Sequence, residues 1–268
     1  MRKYPEKPDN KEYSQEECRQ ITISHRKLLT EIMDIFYDKL RNLWENNDKD
    51  KEILKNLEKY KLQHLIQIVW DQVISIFEKD NNYNENLERY IRRWLPENLA
   101  TICRNTSIDL WDTMHEENNE ESIEKKSIEI TKIHKKTITD IMDIFYDKLK
   151  NLWENHDKDK ETPGNLERYT YLLNHPNERA INKEWKKIHN HNNTHHVEWF
   201  LECNEPKLQY LVEMVCDNVA TAIARGAKYM NIFEENKQRY IKKWLSKEIA
   251  LICANTFVDL WNAVYGDK

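Results

Sequence analysis

Glu31–Asp50 reads EIMDIFYDKLRNLWENNDKD, and Asp140–Asp159 reads DIMDIFYDKLKNLWENHDKD. Seventeen of the twenty positions are identical, and two of the differences, Glu31/Asp140 and Arg41/Lys150, conserve charge. The third sets Asn47 opposite His156. The apolar stripe Ile141, Phe145, Leu149, Leu152 recurs at helical spacing, so the duplicated stretch predicts one amphipathic helix in each half of the chain.

Beyond these twenty residues the repeat holds an offset of 109 through Leu57-Glu58 and Tyr60, opposite Leu166-Glu167 and Tyr169. It then shifts to 146, where Lys61-Leu62-Gln63 matches Lys207-Leu208-Gln209. The first copy therefore lacks 37 residues, Thr170 to Pro206. Later, Arg89-Tyr90-Ile91 pairs with Arg239-Tyr240-Ile241, and Cys103, Asn105-Thr106 and Leu110-Trp111 pair with Cys253, Asn255-Thr256 and Leu260-Trp261. Helical spacing returns in Leu211, Met214, Val215, Val219 and Ile223, and again from Ile249 to Val264. A repeat of this length predicts two homologous helical units packed through a pseudo-two-fold interface. Their expected bounds are 1–115 and 131–268, with a charged linker (EENNEESIEKK at its heart) over 116–130.

Composition agrees. The 268 residues include only 3 Gly and 6 Pro, too few for the turns of a sheet protein, so the expected fold class is all-α. Nine Trp provide the apolar payload for packed cores despite 33% charged residues. The net charge of −5 offers no broad basic field, which excludes an extended nucleic-acid footprint. Five Cys without a CxxC pair predict reduced, mostly buried thiols, and residues 1–11 lack the apolar core of a signal peptide. No apolar run approaches the length of a membrane span. The expected setting is cytoplasmic, with no membrane partner.

The two copies differ in chemistry rather than in core pattern. Of ten His, five (His175, His189, His191, His195, His196) lie in the segment missing from the first copy. A duplicate that exchanges His156 for Asn47 and omits a His-rich insert has lost a polar centre, so the first copy is expected to hold no tight metal of its own. His25, Asp48 and Asp71 survive there, and that half is expected to serve as scaffold, interface or part of a substrate pocket. In the second copy the candidates are His134, His156-Asp157, the His189–His196 cluster and Asp217. Imidazole and carboxylate together suit a divalent transition ion (Mn, Fe, Co, Ni or Zn), and no thiol joins the pattern. The bland alternatives are an adventitious His/Asn loop, a structural salt link at Asp217 and a solvated Lys160 within DKDKE.

His156-Asp157-Lys158-Asp159-Lys160, then Asn193-Thr194-His195-His196 with Trp199, then Glu213-Met214-Val215-Cys216-Asp217-Asn218, follow one another in order between about Ile133 and Tyr229. The set resembles the HD-domain superfamily of metal-dependent phosphohydrolases, and most closely a group of bacterial and phage proteins within or near it. Asp159 departs from that group, which usually has a small hydroxyl residue there. The resemblance implies one or two divalent ions, with His134, His156, Asp157 and Asp217 as core ligands. His195 or His196 would complete a second metal position or contact a phosphate, and His189, His191 and Glu213 are further candidates. Lys160, His196 and Asp157 would carry the catalysis, Lys160 neutralising phosphate charge and a nearby His or Asp moving the proton. The implied substrate is a small phosphoester such as a nucleotide or cyclic nucleotide. The alternative is a non-catalytic nucleotide- or protein-binding antagonist of phage type that keeps its metal for structure. One geometric condition applies: a straight helix separates His134 from His156 by about 33 Å, so their sharing an ion requires the chain to fold back near Asp147 to Asn151.

Overall fold

A computed structural model describes residues 12–45, 61–79, 95–117, 127–175, 183–224, 232–242 and 245–265. Among them the only regular structure is helix: α1 (Gln15–Glu45), α2 (Leu62–Lys79), α3 (Glu97–Glu117), α4 (Ser127–Asn155), a 3-10 turn (Lys158–Glu161), α5 (Pro163–Asn174), α6 (Lys183–Asn192), α7 (Val197–Glu202), α8 (Leu208–Ala224), α9 (Ile232–Lys242) and α10 (Lys247–Tyr265). The expected all-α class is what the chain adopts.

Local chemistry explains several boundaries. Ser14 and Glu17 form a reciprocal cap on α1: the Ser14 amide donates to Glu17 Oε2 at 2.7 Å and the Glu17 amide to Ser14 Oγ at 3.2 Å. Pro163 sits in the first turn of α5, where its missing N–H leaves no carbonyl unserved. The expected 116–130 linker is helical at both ends, since α3 reaches Glu117 and α4 begins at Ser127. The segment without a counterpart in the first half supplies the end of α5, α6 and α7.

One apolar core runs through both halves. Its centre is α8, whose Leu208, Leu211, Met214, Val215, Val219 and Ile223 are all buried, and which packs against α1, α2, α3, α4 and α10. Contacts between the halves come in pairs at repeat-equivalent positions. Lys61 Nζ meets Asp259 Oδ1 at 2.6 Å and Lys207 Nζ meets Asp109 Oδ1 at 2.6 Å. Lys39 and Lys148, equivalent in the repeat, reach the same two carboxylates at 3.2 Å. The Leu62 amide donates to Thr256 Oγ1 at 2.8 Å, and the Leu208 amide to Thr106 Oγ1 at 2.9 Å. Tyr37 and Tyr146, themselves equivalent, meet each other with ring centroids 4.5 Å apart. Each half thus docks its helices onto the other half, and α1 lies along α8.

Candidate metal centre

The site begins where α4 ends. Asp157 adopts φ 57°, ψ 15°, the left-handed region that Asp tolerates better than most side chains, and the chain turns there into the 3-10 segment. The turn leaves both members of the His156-Asp157 pair buried, with His156 Nε2 3.6 Å from Asp157 Oδ2. From α8, Asp217 places Oδ1 3.5 Å from the same His156 nitrogen.

The remaining imidazole comes from the other half. His25 on α1 sets its Nε2 2.8 Å from Asp217 Oδ1, and its ring lies 5.3 Å from that of His156. His25 is the repeat counterpart of His134. The fold-back expected near Asp147 to Asn151 does not occur, because α4 is unbroken from Ser127 to Asn155. At about 1.5 Å per residue, position 134 stands some 33 Å along the axis from position 156, too far to share an ion with it. The side chain of His134 lies outside the described residues. The donor set is therefore not confined to 131–268 as expected: residue 25 of the first half is part of it.

On the far side of Asp157 lies the cluster from α6 and the start of α7. Asp157 Oδ1 is 3.4 Å from His189 Nε2 and 3.5 Å from His195 Nε2, so the carboxylate faces two groups of donors at once. His196, the cap residue of α7, lies against both, with its ring centroid 4.9 Å from His189 edge-on and 4.1 Å from His195 tilted. Glu213 lies behind the site. It accepts from His156 Nδ1 at 3.1 Å and from Thr194 Oγ1 at 2.5 Å, which holds His156 with its Nε2 toward Asp217. Lys160 is not solvated: its Nζ donates to Asp157 Oδ2 at 2.5 Å and sits 5.2 Å from the centre of the Tyr169 ring. His191 is not brought in. It turns outward to Glu202 Oε2 at 2.6 Å.

The centre is rich in carboxylates. Asp157, Asp159, Glu213 and Asp217 surround the centre, and among the described residues Lys160 is the one ammonium bonded to Asp157. Burial alone would depress the His156 pKa, but the carboxylates of Asp157, Asp217 and Glu213 close around it push it up to about 10. Burial opposes the charge on Asp157 and Asp217 too. Lys160 and His156 nevertheless hold Asp157 well below the usual carboxylate range, and His156 and His25 do the same for Asp217. His195 and His196 go the other way: burial, together with the neighbouring His156 and His189 respectively, keeps both neutral, His196 at about 4.

Geometry fits a metal better than a closed hydrogen-bond network. Buried His156 Nε2, His196 Nε2 and Asp157 Oδ1 make no hydrogen bond, although a buried polar atom left so is costly. Donor atoms at 3.4–3.6 Å from one another are too far apart for good hydrogen bonds. They match the edges, about 3.0–3.5 Å, of a coordination polyhedron built on metal bonds near 2.1 Å. His25, His156 and Asp157 form one such donor group, and His189, His195 and His196 another. Imidazole with carboxylate, and no thiol, is a set for Mn, Fe, Co, Ni or Zn.

The family model that matches spans residues 123–258, just over half of the chain, and covers His156, the inserted histidines and Asp217. The chain belongs to DUF5662, a family of unknown function. No curated protein and no solved structure matches it. The matched region excludes His25, so the family's unit and the donor set of this centre do not coincide.

Sequence reading missed His25 as a site residue, although its alignment with His134 shows that both copies keep an imidazole at this position. It also missed Asp159 and Thr194, which act through His189 and Glu213. All five cysteines are free, and four of them are buried. Among the described residues no helix is long and apolar enough to cross a membrane.

Proposed function

We propose that the chain is an HD-type metal-dependent phosphohydrolase with a single working centre composed from both halves. The observation that carries this reading is the convergence of His25, His156, Asp157 and Asp217 on one side, and His189, His195 and His196 on the other, around Asp157. His25, His156, Asp157 and Asp217 would hold one divalent ion, and the second His group with Asp157 Oδ1 has the donors for another. The ion would supply Lewis acidity toward a phosphoryl oxygen and acidify a water.

The chain's own residues do the rest. Glu213 fixes the ring of His156, as a carboxylate behind a metal-binding imidazole does. Lys160 carries its charge beside Asp157, where it would neutralise a phosphate oxygen brought to the centre. His196, neutral and with Nε2 unpaired, would offer that nitrogen to the second ion. The substrate that suits one buried cation group and one lysine is a small phosphoester, such as a nucleotide or cyclic nucleotide, and the compartment that keeps five free thiols reduced is the cytoplasm.

The test is hydrolysis of a panel of nucleotides, cyclic nucleotides and generic phosphoesters by the full chain, with Mn²⁺, Co²⁺ or Ni²⁺ and with chelator. Turnover that rises with metal, disappears with chelator and is lost in His156→Asn is expected. Stoichiometric metal without turnover of any phosphoester would refute the enzyme and favour the antagonist that keeps a metal for structure.

A further inference from the structure

We propose that Asp159 is a positioning residue that aims His189 into the centre and thereby creates the second cation position with His195 and His196. The inference rests on the metal-centre reading above and adds the residue that decides how many ions the centre holds.

His189 has two ring nitrogens and a different task for each. Its Nδ1 donates to Asp159 Oδ2 at 2.7 Å, a normal charge-assisted bond, and this leaves Nε2 directed at Asp157 Oδ1, 3.4 Å away. Asp159 is itself anchored. Its backbone carbonyl accepts from Asn165 Nδ2 at 3.0 Å and its Oδ2 from Asn193 Nδ2 at 3.3 Å. Asn165 in turn accepts from Trp185 Nε1 at 2.8 Å, and the Trp185 ring stacks on His189 at 5.4 Å and 15°. The imidazole is clamped face-on by Trp185 and rotationally by Asp159. Such a side chain is preorganised to ligate rather than to fill space.

An independent observation points to the ligand. His196 Nε2 is buried without a hydrogen bond, and it belongs to the group with His189 and His195 whose donor atoms all lie within 4.8 Å of one another. Three imidazoles beside a carboxylate oxygen that also lacks a hydrogen bond form a cation position, and Asp159 orients one of the three. Asp159 touches no reacting atom. It acts through His189.

The experiment compares wild type, Asp159→Ala and Asp159→Asn as full chains. Co²⁺ is titrated by absorption, bound metal is counted by mass spectrometry after gel filtration, and metal-free melting is measured. Wild type should bind two ions. Asp159→Ala should bind the first as wild type does and the second about 10–100-fold more weakly, with metal-free melting lowered by no more than the few degrees that one lost charge-assisted bond accounts for. Asp159→Asn still accepts the His189 proton and should restore much of the loss. Two ions bound at wild-type affinity in Asp159→Ala would overturn the inference alone, as would a single ion in wild type. Equal loss of both ions with a lowered metal-free melting point would show a structural role and overturn it too. No bound ion in wild type would overturn the metal-centre reading itself.

Discussion

Replacing His25 by Ala tests the composite centre most directly, because the residue lies in the half that carries neither the His-Asp pair nor the His-rich insert. His25 is 6% exposed and bonds Asp217 Oδ1 at 2.8 Å. Its loss takes the first donor group from four side chains to three. Removing even a residue that only orients a metal ligand costs about 10–100-fold in affinity. Losing a donor should cost about 100-fold or more, equivalent to about 2.7 kcal/mol. The fold should also lose the charge-assisted bond to Asp217, about 1.5–3 kcal/mol, so the metal-free variant should melt a few degrees lower. The assay is competitive metal titration with a chelator of known affinity, run beside Ser24→Ala, an exposed neighbour on the same helix, and His134→Ala. The expected pattern is weakened metal and lost turnover in His25→Ala alone. Unchanged affinity in His25→Ala, or loss in His134→Ala instead, would refute the assignment of the fourth donor to α1.

His156→Asn writes into the second half the residue that the first half already carries at Asn47; circular dichroism should stay near wild type while bound metal and activity disappear, and full occupancy would remove His156 from the ligand set. Lys160→Ala should leave metal content intact and lower kcat/KM by about 10–100-fold, the worth of one charged hydrogen bond, with unchanged kinetics against a phosphoester counting against a phosphate contact. Metal-free protein should show the linkage of a raised imidazole: the His156 contribution is fully present below its ordinary 6.5 and is lost as pH rises through about 10. Melting in chelator should therefore decline across that window, and a flat profile in wild type, or the same decline in His156→Asn, would contradict the buried charge.

The sequence alone determined the helical class, because period and composition are local properties: the stripe Ile141, Phe145, Leu149 is buried on α4 as its spacing predicted. It also marked most of the centre, since His156-Asp157, His195-His196 and Asp217 stand out as polar residues within or beside apolar helical pattern. Buried, unpaired donors of this kind are costly unless something binds them. What it left open was which helix lies across them. The apolar stripes of α1 and α4 share one pattern within the twenty-residue repeat, and each helix carries a histidine at the equivalent position, His25 and His134. Two helices with the same apolar pattern offer the same face to α8, so no local signal distinguishes pairing within a half from exchange between halves. Only the tertiary structure decides it: an unbroken α4 carries position 134 away from the centre, and α1 packed along α8 brings His25 to Asp217. Asp159 shows the same division, a charged residue in a charged run until the fold sets His189 against it.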